Sequence, residues 1–191
     1  MDVGQDAGTQ HISVIDADGM AVALTSTINT SFASRVVAPQ SGILLNNEMD
    51  DFVARPGEPN AYGLVGSEAN AVAAGSRPLS SMSPTVLIAP GGRERIVIGA
   101  SGGPFIISST VQVIANIIDF GMDPAEAVSV PRVHHQWMPN RLFVDTHTSP
   151  DTIAALEKRG HAVQVIDFFS SVQAIHVPVS YTHLRAHETK R

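Results

Sequence analysis

Apolar and polar positions divide the chain into short alternating runs early and longer helical stretches later. Ile12-Ser13-Val14-Ile15 and Ala21-Val22-Ala23-Leu24-Thr25 flank Asp16-Ala17-Asp18-Gly19. Asp-Gly between two β-prone runs marks a tight turn, so a hairpin is predicted. Alternation along the second run places Thr25, Thr27 and Asn29 on one face. Residues 34–70 are rich in Pro, Gly and Asn and read as a long ordered loop, a length usually reserved for function. Thr85–Ile88 and Arg95–Ile98 flank Pro90-Gly91-Gly92 as a second hairpin.

From Pro104 to Phe120 the apolar residues Ile107, Val111, Ile114, Ala115 and Ile118 recur at helical spacing. Pro104 suits a first turn and Gly121 a C-terminal cap. Asp123-Pro124 opens a short helix through Val130, and Ser149-Pro150-Asp151 another through Arg159, stopped by Gly160. Val163–Ile166 and Val172–Val177 close the pattern as strands. Hairpins, then helices, then hairpins again indicate an α+β fold.

The 191 residues suffice to bury one domain's core. A hydrophobic content of 43% with 16% charged residues fits a globular chain. The net charge of −6, without a basic stripe, argues against a nucleic-acid partner. No apolar run approaches 18 residues, so no membrane span is expected. With no cysteine, disulfides and thiolate metal sites are excluded. Residues 179–191 break sharply with the β-rich sequence before them and are similar to the translation of a sequencing-library adapter. They are set aside as an artefactual tail. Without them the net charge becomes −8, because three basic residues and one acidic residue leave.

Three segments carry the chemistry: Thr9-Gln10-His11-Ile12-Ser13-Val14-Ile15-Asp16, Leu79-Ser80-Ser81-Met82-Ser83-Pro84 and Gly99-Ala100-Ser101-Gly102-Gly103. Together with Leu44-Leu45-Asn46-Asn47-Glu48-Met49-Asp50-Asp51-Phe52 they resemble the small subunit of γ-glutamyltranspeptidases, over roughly residues 9–177. The resemblance implies the αββα sandwich of N-terminal-nucleophile hydrolases. It also implies a precursor that cuts itself before a threonine, here Thr9. Residues 1–8 are then a remnant preceding the cleavage site, and 9–178 the small-subunit domain. The chain reads as an internal piece of a longer gene. A periplasmic or secreted location follows from the resemblance.

A threonine hydroxyl is a weak nucleophile that needs a base within reach. A freed α-amino group, with a pKa of about 7.7–8.0, supplies one, whereas an amide nitrogen cannot. Cleavage after Gly8 thus makes base and nucleophile together. By resemblance, Thr27 hydrogen-bonds Thr9, and Asn29 contacts the substrate's α-amino group. Without it, both would be polar residues of a solvated edge strand. Glu48 and Asp51 form a carboxylate pair suited to the substrate's ammonium; a solvated acidic loop is the plainer reading. Asp50, between them, is expected to point elsewhere.

Ser80 and Ser81 resemble the pair that binds the substrate's α-carboxylate, completed by an arginine of the large subunit. Gly102 and Gly103 resemble an oxyanion hole, two successive N–H groups before a helix. Tyr62 resembles the tyrosine of a lid loop, or else is a turn aromatic packed on the core. His134 and His135 tempt as a metal site, but adjacent residues of an extended segment face opposite ways. No metal or cofactor is expected.

The implied activity is transfer and hydrolysis of glutathione and other γ-glutamyl amides through a γ-glutamyl-threonine ester. The partners are the large subunit of the same precursor, the γ-glutamyl donor, and an amino-acid, peptide or water acceptor. Two alternatives stand beside it: a related acylase of glutaryl or cephalosporin-type amides, and a non-catalytic fragment that only packs against a partner subunit.

Overall fold

The computed structural model describes residues 8–92, 94–167 and 170–178, and the backbone of 185–188. Strands β1 (Thr9–Ile15) and β2 (Ala21–Thr27) form the first antiparallel hairpin. Its turn closes through Asp16 N–H to Met20 O at 3.0 Å, with Gly19 at φ 85°. The hairpin runs longer than its apolar core suggested, so Thr9 and Thr27 sit opposite each other at its open end.

Strands β3 (Thr85–Ile88), β4 (Arg95–Ser101), β8 (Ser171–Val177) and β9 (Arg185–Glu188) form an antiparallel sheet in that order. Strands β5 (Val133–His134), β6 (Leu142–Asp145) and β7 (Val163–Ile166) form another. The pairing of β7 with β6 is parallel. The last two predicted strands are therefore not a hairpin: β7 and β8 belong to different sheets. The partner of β7 is Leu142–Asp145, a strand the apolar pattern did not mark because it is short and lies among turn residues. The β9 backbone extends β8 within the segment set aside as a tail; residues 179–184 and 189–191 lie outside the described structure.

Strand β4 is buried on both faces. Ile96, Ile98 and Ala100, with Val172 and Ala174 of β8, pack against helices α1 (Phe105–Ile118) and α2 (Pro124–Ser129). The other face of β4 meets the β1–β2 hairpin, where Ser13 Oγ donates to Val97 O at 3.2 Å. Gly99 is required there, because a Cβ would collide with the His11 ring. Helix α3 (Pro150–Lys158) is capped by Ser149, whose hydroxyl accepts from Thr152 N–H at 3.2 Å. Asp123 caps α2 in the same way, at 2.9 Å from Glu126 N.

Helix α1 forms where the apolar spacing predicted it. Its buried face is Phe105, Ile106, Ser109, Thr110, Val113 and Ile117. The stripe that marked the helix is largely on the other side: Ile107, Val111 and Ile118 are 51%, 59% and 58% exposed. The helix is apolar on two faces, and periodicity alone cannot rank them. The hairpin is similar. Its inner face carries Thr9, His11, Ser13, Thr25 and Thr27, while Ile12, Val14, Val22 and Leu24 are exposed. Among the described residues, no helix is long and apolar enough to cross a membrane.

Candidate active site

A cavity of about 500 Å³ opens beside the end of the β1–β2 hairpin. Thr9, Thr27, Asn29, Glu48, Asp51, Tyr62, Ser80, Ser81 and Gly103 all line it, and Gly102 immediately precedes Gly103. Segments far apart in sequence therefore converge on one volume.

Hairpin register sets the first pair. Thr9 Oγ1 lies 2.9 Å from Thr27 Oγ1. Asn29 N–H donates to Thr27 Oγ1 at 2.8 Å, occupying one lone pair and leaving the Thr27 proton free to point at Thr9. Gly8 precedes Thr9 in a tight place. A Cβ there would lie 2.5 Å from Asn29 O and 2.8 Å from Thr30 O. The Gly8 carbonyl accepts from Ile28 N–H at 3.1 Å.

Asn29 does not continue the β2 alternation as expected. The strand ends at Thr27, and Asn29 is buried at φ 75°. Asparagine tolerates this left-handed backbone better than most residues. Its Nδ2 donates to Asn47 O at 3.2 Å, and its Oδ1 accepts from Tyr62 Oη at 2.8 Å. Thr25 stays on the inner face, bonded to His11 Nδ1 at 2.7 Å.

Glu48 and Asp51 lie on one 3-10 turn, Glu48–Asp51. Burial, a hydrogen bond with Glu48, and the charges of Glu48 and Asp50 push Asp51 up to about 7. Glu48 Oε1 is buried without a hydrogen-bond partner. This pair is not a freely solvated acidic run. A bound cation between the carboxylates would relieve both the repulsion and the unmet acceptor. Asp50 is used differently, its Oδ2 accepting from Ala61 N–H at 3.0 Å.

Ser80 Oγ accepts from Met82 N–H at 3.2 Å, and Ser81 Oγ donates to Gly103 O at 3.0 Å. Gly102 and Gly103 have φ of 129° and 56°, backbone that favours glycine. They join β4 to α1, whose first bonds run from Phe105 N to Gly102 O and from Ile106 N to Gly103 O, both 3.1 Å. Tyr62 covers this turn: a Cβ on Gly103 would lie 2.9 Å from its Cε1. Tyr62 thus bridges the Gly102–Gly103 turn and Asn29, rather than packing on the main core.

The two adjacent histidines separate as extended backbone requires. His134 is buried, with Nδ1 at 2.8 Å from Ser108 Oγ and Nε2 at 3.0 Å from Gln136 Oε1. His135 is exposed and meets Asn140 Oδ1 at 3.2 Å. Burial holds both His134 and His11 below the ordinary imidazole pKa.

Three residues of the site's frame had no role in the sequence reading. His11 is wedged between β1–β2 and Gly99; its signal was a polar residue at i+2 from Thr9 on an alternating strand. Asn47 ties Asn29 to the acidic turn and also accepts from Thr30 N–H at 3.1 Å. Gln136 reaches Tyr62 O at 3.0 Å, a contact no local pattern announces.

The family model described as Gamma-glutamyltranspeptidase matches residues 2–187. The glutathione hydrolase proenzyme of Escherichia coli strain K12 is 52% identical over 169 residues, covering 88% of this chain. The chain spans only 29% of that relative's length. A γ-glutamyltranspeptidase mutant from Helicobacter pylori has a TM-score of 0.87 at 42% identity, covering 94% of this chain and 96% of that one. The Pseudomonas nitroreducens γ-glutamyltranspeptidase complexed with L-DON has a TM-score of 0.84 at 39% identity, covering 92% of each chain. These neighbours share the N-terminal-nucleophile hydrolase fold expected from the sequence. With a family match across nearly the whole chain and a relative at this identity, the chain belongs to the γ-glutamyltranspeptidase family.

Proposed function

We propose that residues 9–178 form the small-subunit domain of an enzyme that transfers and hydrolyses γ-glutamyl groups, with Thr9 as nucleophile and residues 1–8 as a remnant before the cleavage site. The observation that carries this is the Thr9–Thr27 hydroxyl pair, 2.9 Å apart, facing a cavity shared with Glu48, Asp51 and Gly103.

Maturation comes first. The Thr9 hydroxyl attacks the Gly8 carbonyl carbon, the Gly8–Thr9 C–N bond breaks to leave an ester, and water releases Thr9 with a free amine. That amine then accepts the Thr9 hydroxyl proton as Oγ1 attacks the donor's γ-carbonyl. The Gly102 and Gly103 N–H groups stabilise the oxyanion. The leaving amine takes the proton, and a γ-glutamyl ester remains on Thr9. Water hydrolyses that ester, or an amino acid or peptide takes the acyl group.

Donor recognition divides between two ends of the cavity. Glu48 and Asp51, with Asn29, receive the α-ammonium, while Ser80 and Ser81 receive the α-carboxylate. The partner is the large subunit of the same precursor, which supplies an arginine to the carboxylate. The exposed apolar faces of the hairpin and of α1 support such a partner, since both faces would otherwise meet water. A periplasmic or secreted setting accompanies this reading.

The test uses the complete precursor that carries this segment, supplied with γ-glutamyl and glutaryl anilides. Turnover of the γ-glutamyl compound, with an acyl group trapped on Thr9 by mass spectrometry, is expected. Preference for the glutaryl compound would favour an acylase, because a donor without an ammonium gains nothing from Glu48 and Asp51. A precursor that remains uncut and inert would favour a non-catalytic packing role.

A further inference from the structure

We propose that Gln136, anchored by His134, is a positioning residue that holds Tyr62 over the Gly102–Gly103 turn. This rests on the γ-glutamyl-transfer reading of the cavity. Besides Asn60 Oδ1, which accepts from the Tyr62 N–H at 3.0 Å within the same turn, contacts from other segments hold Tyr62. Its ring lies against Gly103, its hydroxyl donates to Asn29 Oδ1 at 2.8 Å, and its carbonyl accepts from Gln136 Nε2 at 3.0 Å. The first two contacts belong to the site itself. The third comes from the segment just after β5, 74 residues away.

The bonding of Gln136 fixes its own orientation. Its Nε2 donates to Tyr62 O and to Met138 O, both at 3.0 Å, which commits both amide hydrogens. Its Oε1 therefore faces His134 Nε2 as an acceptor, at 3.0 Å. That requires the His134 proton on Nε2, so Nδ1 is an acceptor 2.8 Å from the Ser108 hydroxyl, whose one proton it shares with Phe105 O at 3.2 Å. The His134 ring is buried, 4.1 Å between centroids from Phe105. Ser108 and Phe105 belong to the first turns of α1, the helix that the Gly102–Gly103 turn opens.

The tyrosine and the oxyanion turn are thus braced against the same post. The path runs from the start of α1 through Ser108, His134 and Gln136 to the backbone of Tyr62. Residues 54–59 and 61 are exposed, and the segment is held by its own turns, such as Asn60 N–H to Leu64 O at 3.0 Å, and by Asp50, whose Oδ2 accepts from Ala61 N–H at 3.0 Å. A segment of that kind has little stability of its own, so each outside bond has leverage over where its tip sits.

The experiment compares complete precursors carrying Gln136→Ala, Gln136→Glu, Tyr62→Ala and the Gln136→Ala/Tyr62→Ala pair. Gln136→Glu keeps the volume and loses the donor. The expected result is a donor KM raised about three- to tenfold by either Gln136 variant, the effect of one net hydrogen bond, with kcat changed less than twofold and Gly8–Thr9 cleavage intact. Amide hydrogen exchange in 58–66 should quicken. In the Tyr62→Ala background, Gln136→Ala should add nothing, because its effect passes through the tyrosine. Equal effects of Gln136→Ala in both backgrounds would overturn the proposal, as would unchanged exchange in 58–66 for either variant. Failure of both Gln136 variants to fold would also overturn it, since a brace on one loop tip is not a requirement of the fold. A wild-type precursor without γ-glutamyl turnover would end the functional reading, while the exchange comparison would still decide the brace.

Discussion

Thr27 faces Thr9 across the β1–β2 hairpin, with their hydroxyls 2.9 Å apart and the Asn29 N–H fixed on the Thr27 oxygen. Either hydroxyl of the pair can donate, and with one Thr27 lone pair taken the Thr27 proton is free to point at Thr9. Thr27→Val keeps the shape and removes that donor. In the complete precursor kcat for a γ-glutamyl donor should fall about 10²-fold, the scale of one lost transition-state hydrogen bond. Donor KM should change little. Steady-state kinetics showing an unaltered kcat would remove Thr27 from the chemistry.

Thr9→Ala in the complete precursor should block both cleavage and turnover, since one hydroxyl serves both. Thr9→Ser should retain some of each, because serine keeps the hydroxyl and gains the amine after cleavage. Gel analysis of the precursor and an anilide assay read the two steps separately. Turnover by a protein whose Gly8–Thr9 bond is intact by mass would refute the mechanism.

Asp51 gives the site a pH signature. Burial and the neighbouring Glu48 push its pKa up to about 7, so much of it is protonated below that pH and a donor's ammonium loses its partner. Donor KM should rise as pH falls below about 7, and Asp51→Asn should flatten that rise. Asp51→Ala should weaken donor binding by roughly 2–5 kcal/mol if the charge pair is desolvated. For stability the sign is opposite to the usual carboxylate. A raised folded pKa means the contribution is full below the unfolded value of 3.8 and is lost as pH rises through about 7.

His11 and His134 act the other way. Burial depresses both, so each favours the fold while neutral. That contribution is present above the unfolded value of 6.5 and is lost as pH falls through the lower folded value. Thermal melts of the complete precursor between pH 7 and pH 4 should show less acid destabilisation for His134→Gln than for wild type. Equal slopes would argue against a buried neutral His134.

Gly99→Ala puts a methyl group into the His11 ring within a tightly packed interface. Destabilisation of about 1–3 kcal/mol is expected, the usual cost of overpacking. His11→Ala should restore part of it when combined with Gly99→Ala, because the obstructing ring is gone. Chemical denaturation of the single and double variants measures this.

The sequence by itself determined the local elements whose causes are local. The Asp-Gly turn, the Asp123 and Ser149 caps, and the apolar alternation of the first hairpin each act within a few residues, and each appears where it was read. The candidate residues were legible because their segments resemble a known small subunit, not because spacing alone selected them. Tertiary structure decided the remainder. Only packing could choose between the two apolar faces of α1, bury Ile106 and Val113 and leave Val111 in the open. Only long-range pairing could separate β7 from β8 and give Leu142–Asp145 a partner. The turn of Asn29 out of β2 to φ 75°, the elevation of Asp51 and the reach of Gln136 to Tyr62 depend on neighbours 18 to 74 residues distant or on burial. Periodicity records how one segment alternates between solvent and interior. It holds no record of which distant segment will supply the opposing surface, and that opposing surface fixes the site's charges and its brace.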